Sequence, residues 1–415
     1  MSDVTPKIDF DSQTAKEWAS LVEQGLRGTP LEALKRETDD GIRRGPLMRS
    51  VDLPPALTAL GRTDLPLLEN RSWHIAAPVR DPDLTAANSQ LLEDLKGGAS
   101  AIRFESGIDL SSRNNLKRLL EGVYTELVPI HFAHSVLTDA SYQHLQNLKP
   151  YKTAVVWAGL DPIDDAAIIR TSLETVPETW RLMGIAPLKI HEAGGTEVQE
   201  LSSLASALVE AIRIHNGETV CRHLVVELAA DRDAHLTVAK FRAARRIIRR
   251  VADVFNVDCT TIPICAVTSL RMMQTEDAWT NLLRVMSAGT GAVMGGANMV
   301  TTRPFTDGLG QATVFAHRIA RNMQLMMMEE SHLGLVSDPA YGSYWHESMT
   351  EQLAHKAWQA FQNIEASGGW SRYRKSGQLK VDIEKSNSDR DAHNAPILGV
   401  TLHQATDVKA PEVRS

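Results

Sequence analysis

A (β/α)8 barrel of the TIM type, an α/β fold, is predicted by three features of this sequence. Short β-branched apolar runs recur eight times, longer amphipathic stretches separate them, and the repeat occupies roughly 250 residues, the usual size of such a barrel. Ahead of it stand two helical segments, KEWASLVEQGL and TPLEALKRETDDGI, and the Pro-rich connection PLMRSVDLPPALTALGRTDLP. Residues 1–70 thus read as an N-terminal helical and extended arm. Strands are expected near 72–79, 101–105, 127–133, 153–159, 186–192, 223–229, 262–268 and 298–304. Helices between them include DLTAANSQLLEDLKG, EVQELSSLASALVEAIRIH, LTVAKFRAARRIIRRVADVF and AWTNLLRVMSAGTGAVM, each with apolar residues at three- and four-residue steps. Two C-terminal helices, TVFAHRIARNMQLMMMEES and TEQLAHKAWQAFQNIEAS, flank the turn SDPAYGS and complete a barrel domain over 71–370. The tail, 371–415, is polar apart from PILGV, and one last short ordered element with a frayed end is expected there.

Composition narrows the function classes. With 43% hydrophobic and 23% charged residues, a chain of 415 can build one large core. Its net charge of −7 is interspersed along the chain, so neither nucleic acid nor an anionic membrane is an expected partner. No run of about 20 apolar residues occurs, and MSDVTPKIDFDSQT has neither a basic start with an apolar stretch nor an Arg-rich amphipathic pattern. Export and membrane insertion are not expected. Cys221, Cys259 and Cys265 suggest no disulfide framework, and a reducing cytoplasm is the expected location.

Several local patterns have plain structural readings. Arg242, Arg245, Arg246 and Arg249, with Arg250 beside them, read as a solvated or partner-contacting helix face. His131 and His134, three apart on a strand, point to opposite faces and so argue against a shared metal. The glycines of SAGTGAVMGGAN do not make Gly-x-Gly-x-x-Gly and read as close helix-to-sheet packing. Met323, Met326, Met327 and Met328 read as core. No nucleophile elbow, paired-cysteine spacing or P-loop is present, which removes the common hydrolase, zinc-site and NTPase readings.

Three stretches carry a longer signal: His317 to Gly369, HEAGGTEVQEL at 191–201, and WTNLLR at 279–284. Together they resemble the methylmalonyl-CoA mutase family, with weaker similarity from about Trp18 to Val400. The resemblance implies the same barrel fold. In that family a radical made from adenosylcobalamin rearranges an acyl-CoA, and a flavodoxin-like domain after the barrel supplies a histidine to cobalt from an Asp-x-His-x-x-Gly loop. Two Asp-x-His triplets occur here, Asp233-Ala234-His235 and Asp391-Ala392-His393, but Val238 and Pro396 stand where the glycine belongs. Asp233 reads better as a helix N-terminal residue.

The family's substrate contacts are replaced as well. Asn70-Arg71-Ser72-Trp73-His74-Ile75 matches the run that precedes Arg-Gln-Tyr in active members, and here Ala76-Ala77-Pro78 follows. Leu188 and Lys189 stand where Tyr-His of the Tyr-His-Met-Gln-Glu-Ala-Gly run stands, and Pro263 stands where a substrate-contacting arginine is found. Lys189 and His191 remain as candidates, since on the expected strand residues two apart share a side and Lys189 offers a cationic donor. A displacement of about 6–7 Å along a strand misplaces His191 for catalysis, so both are read as structural. No catalytic residue, cofactor site or metal site is therefore assigned. The pattern resembles the small, non-catalytic subunit of heterodimeric methylmalonyl-CoA mutases without its C-terminal cobalamin-like domain. That implies a cobalamin-binding large subunit as partner, with adenosylcobalamin and acyl-CoA held there, and Trp18 to about Leu67 as the segment that wraps it. Two alternatives stay open: a catalytic subunit that borrows cobalamin from a separate protein, and a CoA-thioester sensor or assembly factor.

Overall fold

The computed structural model describes residues 14–49, 51, 53, 59–60, 72–146, 153–393, 395–404 and 408–414. Parts of the Pro-rich connection, at 50, 52, 54–58 and 61–66, lie outside the described residues, as do Asn70 and Arg71. The chain enters through α1 (Ala15–Gly25), where Thr14 and Glu17 form a reciprocal capping box, and no residue of this helix is buried. A short antiparallel pair follows, β1 (Arg36–Glu37) with β2 (Arg43–Arg44).

The barrel strands are β3 (His74–Val79), β4 (Ala101–Phe104), β5 (Ile130–Phe132), β6 (Val156–Leu160), β7 (Trp180–Ile185), β8 (Leu224–Ala230), β9 (Ile264–Thr268) and β10 (Met299–Thr301). They close in the order β10-β3-β4-β5-β6-β7-β8-β9, every neighbour parallel. The eight-stranded barrel is the fold predicted, and seven of its strands overlap their expected runs. The fifth does not. Residues 186–192 form a helix rather than a strand, and the preceding segment, Trp180–Ile185, supplies the staves. A short apolar run such as LKI satisfies either period, and here Pro187 precedes the first helical turn with a helical φ of −55°. The join of β6 to β7 is also irregular. At Gly159, φ is +64°, and a side chain there would meet the Phe132 carbonyl at 2.3 Å, so only glycine fits.

Helices cover the outer face. They are α2 (Leu84–Lys96), α3 (Arg113–Leu119), α4 (Asp139–Gln146), α5 (Ala166–Ser172), α6 (Leu188–Glu192), α7 (Glu197–His215), α8 (Gly217–His223), α9 (Ala234–Phe255) and α10 (Asn281–Met294), and then α11 (Val314–Leu325). Beyond a π-turn at Met326–Glu330 come α12 (Tyr344–Ala366), α13 (Trp370–Lys375) and α14 (Gln378–His393). Among the described residues no helix is long and apolar enough to cross a membrane. Of the four methionines, Met327 is fully buried in the core and Met326 is 40% exposed.

Four readings of the sequence are corrected here. Two arginines of α9 are not on a solvated face, although Arg250 is exposed and Arg246 and Arg249 are half-buried. Arg242 is fully buried on Asp338, Glu347 and Thr350, and Arg245 on the Gly296 carbonyl and Asn298, because α12 packs over this side of α9. The glycines of α10 serve helix-to-helix rather than helix-to-sheet contact, since a Cβ on Gly291 would meet Ala234 O at 2.7 Å and one on Gly295 would meet the Phe241 side chain at 2.7 Å. Cys221 and Cys259 are bonded to each other, bridging the end of α8 to the loop before β9. Sparse cysteines reveal no pairing until the fold brings two of them together. Finally, the segment after Gly369 holds two helices where one short element was expected. Its last residues also dock, with Arg414 N–H donating to Gln311 O at 2.8 Å and Trp279 Nε1 to Lys409 O at 2.9 Å.

Part of the arm is integral to the barrel domain. Ile42 and Leu60 are each 1% exposed, and Leu60 N–H donates to Asp338. The β1–β2 turn is pinned through Asp40, which accepts from Val198 N at 3.1 Å, while Lys356 Nζ donates to its carbonyl at 2.6 Å. Burial raises the Asp40 carboxyl, and burial, with Asp40 and Asp231 adding to it against Lys240, lifts Glu197 to about 7. A carboxyl raised in the fold stabilises below its unfolded value and loses that contribution as pH rises through the folded one. Thermal unfolding from pH 5 to 8 is therefore expected to show Tm falling by several degrees between pH 5 and about 7 and levelling above it, and Glu197→Gln is expected to flatten that profile.

Candidate functional site at the barrel mouth

Side chains pointing into the barrel form layers. The lower one is apolar and filled by Ala76, Ala101, Trp157, Val225, Cys265 and Met299. Above it, toward the C-terminal mouth where barrel enzymes place their chemistry, the interior turns ionic. Arg103 on β4 and Glu105 two residues on face the same way, and Glu227 interrupts the apolar run of β8. Arg103 grips Glu227 at 2.5 Å and also bonds Glu105. Glu105 continues to Arg303 at 3.3 Å, Arg303 lies 3.8 Å from Asp307, and Asp307 holds Arg80. On the other side Glu227 accepts the His134 amide at 2.8 Å and lies 3.5 Å from His131 Nε2. His134 then meets Asp161 at 3.1 Å, and Lys189 Nζ lies 2.9 Å from His134 Nδ1 and donates to its carbonyl at 3.1 Å.

The ladder crosses the barrel from β3 to α6, and its charges cancel. Arg80, Arg103, Arg303 and Lys189 face Glu105, Glu227, Asp307 and Asp161. Burial works against ionisation of Glu227, yet Arg103 and His131 overcome it and hold the carboxyl well below its usual range. Asp161 behaves alike, brought to about 2 by His134 and the backbone N–H groups of Asp164 and Ile163 against burial. The Lys189 ammonium is lowered, mainly by burial. Burial, with Glu227 adding to it, drives the Cys265 thiol well above its usual value, so it is no nucleophile. Among the described residues no group of three or more His, Cys, Asp or Glu is arranged to hold a metal.

The residues singled out from sequence lie at different depths. Ala76 is in the apolar layer and Pro78 stands in register with Arg103, while Leu188 packs on Ala229 and Val267 beside Lys189 at the mouth. Pro263 is at the opposite, N-terminal end of β9, its carbonyl accepting from Val226 N–H at 3.0 Å. His191 is not in the barrel. On a helix, residues two apart diverge by about 200°, so Lys189 reaches the mouth while His191 is buried behind it. There His191 Nε2 meets Ser269 Oγ at 3.1 Å, and Nδ1 accepts from Arg271 at 3.2 Å. Burial, then Lys240 and Arg271, keep the imidazole neutral. Glu192 accepts the Leu270 and Arg271 amides, and Arg271 returns to the carbonyls of His191 and Gly195. The HEAGG run is thereby a clamp on the loop after β9. Of the triplets, Asp233 caps α9 as expected, His235 contacts His346, and His393 bonds the Asp389 carbonyl within α14. The ladder itself escaped sequence reading, although Arg-Phe-Glu at 103–105 and the lone charge in LVVELAA were its signals.

Fold and mouth together define a (β/α)8-barrel chain whose ligand-binding end is internally neutralised. A family model described as methylmalonyl-CoA mutase matches residues 164–414. The methylmalonyl-CoA mutase small subunit of Streptomyces virginiae is 34% identical over 95% of this chain and 71% of its own length, and that of Propionibacterium freudenreichii subsp. shermanii is 31% identical over 94% and 68%. The methylmalonyl-CoA mutase of Rhizobium meliloti is 25% identical over 92% of this chain and 62% of its own length. The chain belongs to the methylmalonyl-CoA mutase family.

Removing one partner of a buried ion pair costs about 3–5 kcal/mol, because the other charge is left without compensation. Glu227→Ala is expected to lower unfolding stability by that amount in denaturant titration, with Arg103 stranded.

Proposed function

We propose that this chain is the non-catalytic small subunit of an adenosylcobalamin-dependent methylmalonyl-CoA mutase, stabilising a larger cobalamin-bearing subunit that holds the acyl-CoA. The observation that carries this reading is the ladder at the mouth, in which Arg103, Glu105, Glu227 and Arg303 are paired with one another. The replacements Ala76, Pro78, Leu188, Lys189 and Pro263 point the same way, as do the names of the two relatives at 34% and 31% identity, both small subunits. In such complexes the cofactor supplies the radical. Neither Asp-x-His triplet fits a cobalt-ligating loop, since both lie in helical structure with other partners. A heterodimer serving propionate metabolism in the cytoplasm follows from this assignment.

Within the arm, α1 is the partner-facing element. It is amphipathic, with Trp18, Leu21 and Val22 at helical spacing, and buries none of them. An isolated helix of 11 residues is marginal in water, so a second surface is needed to hold it. Residues 36–60 differ, because Ile42 and Leu60 belong to this chain's own core.

The purified chain alone is expected to show no methylmalonyl-CoA turnover with added adenosylcobalamin, and the co-purified large subunit is expected to bring activity. Turnover by the single chain would overturn the reading. Removing residues 1–30 is expected to weaken subunit association at least tenfold, measured by sedimentation, with Tm of the isolated chain unchanged.

A further inference from the structure

Lys189 differs from the three arginines of the mouth ladder. Arg80, Arg103 and Arg303 each grip a carboxylate directly. Among the described residues Lys189 Nζ touches none, and it donates instead to neutral acceptors on His134, the ring Nδ1 at 2.9 Å and the carbonyl at 3.1 Å. Its amine can therefore lose a proton without stranding a bonded carboxylate. The side chain stands on the short helix α6 and is exposed, while Leu188 and Ile190 on either side of it are buried.

The neighbours of His134 set the place of its ring proton. Nε2 meets Asp161 at 3.1 Å, and against burial this contact and the Asp164 and Ile163 amides, at 3.0 and 2.8 Å, keep that carboxylate ionised. Nε2 therefore carries the proton, and Nδ1 presents its lone pair to two donors, Lys189 Nζ and Ser135 Oγ, each at 2.9 Å. Asp161, His134 and Lys189 stand in the order carboxylate, imidazole, nucleophile, in which an oriented imidazole takes a proton from the attacking atom. Partial burial lowers the Lys189 ammonium, Arg103 acting with it against Glu227 and Asp161, which enlarges the share of free amine at neutral pH.

We propose that Lys189 is a nucleophilic amine, served by His134 as base and Asp161 as orienting group, and that acyl thioesters reaching the mouth acylate it. The amine lone pair attacks the thioester carbonyl carbon and the N–C bond forms, while His134 Nδ1 takes a proton from the nitrogen. The C–S bond then breaks and the thiolate leaves with that proton, so the products are an amide on Lys189 and a free thiol. Thioesters fit because a thiolate, with a conjugate acid near pKa ~8.5, leaves the intermediate more readily than an amine near ~10.4, whereas an alkoxide is more basic than either. Acylation removes the cation beside His134 and leaves the ladder one positive charge short. The site does not rest on the small-subunit assignment, because it needs no partner chain.

The test is acetylation of the full chain by S-acetyl-N-acetylcysteamine, a small thioester, followed by peptide mass spectrometry. Near neutral pH, Lys189 is expected to react at least tenfold faster than the exposed Lys117 and Lys385 of the same molecule. His134→Gln and Asp161→Asn are each expected to bring Lys189 down to the rate of those reference lysines, and denaturant unfolding reports separately that each variant is folded. In the unaltered chain, the Lys189 rate is expected to reach half its maximum at a lower pH than the reference rates. A Lys189 rate at or below the reference rates in the unaltered chain, or one that folded His134→Gln leaves unchanged, would overturn the site.

Discussion

Glu227 sits on the axis of the barrel, 1% exposed, in a strand that is otherwise apolar, and everything at the mouth is arranged around that charge. Desolvating a carboxylate costs several kcal/mol unless partners replace the lost water. Arg103 supplies the counter-charge, the His134 amide supplies a hydrogen bond, and His131 closes the remaining side. Arg103 in turn brings Glu105 inward, and Glu105 brings Arg303. Loops from opposite sides of the barrel are tied by a chain of mutual compensation.

Inside the barrel, Trp157 belongs to the apolar layer, and above it the charges of Arg103, Glu105 and Glu227 are paired within the protein. The chain retains the scaffold of its relatives while the interior has become a core of unusual polarity.

The runs that most resemble the family have a corresponding structural role. His191, Glu192 and Gly195 hold the Leu270–Arg271 turn, and Glu200 pairs with Lys240 at 2.6 Å while accepting the Ala229 amide. The helix α12 shelters Arg242 through Glu347 and Thr350, and it anchors the arm through Lys356. These contacts knit α7, α9 and α12 to the barrel. Such a motif has a structural reason to persist, because its polar residues satisfy buried backbone groups that packing alone cannot.

Periodicity and composition determined the barrel, seven of its strands, its long helices and the cap at Asp233, since each follows from short-range rules of pattern and capping. The fifth strand was misplaced because a short apolar run fits two periods, and that error put His191 on a barrel wall it never reaches. Only the tertiary structure decided that Arg242 and Arg245 are buried, that Cys221 meets Cys259, that His235 faces His346, and that Arg103 meets Glu227 across 124 positions of chain. Pairings of that range have no periodic signature, because what selects them is the shared need of distant groups to escape water together.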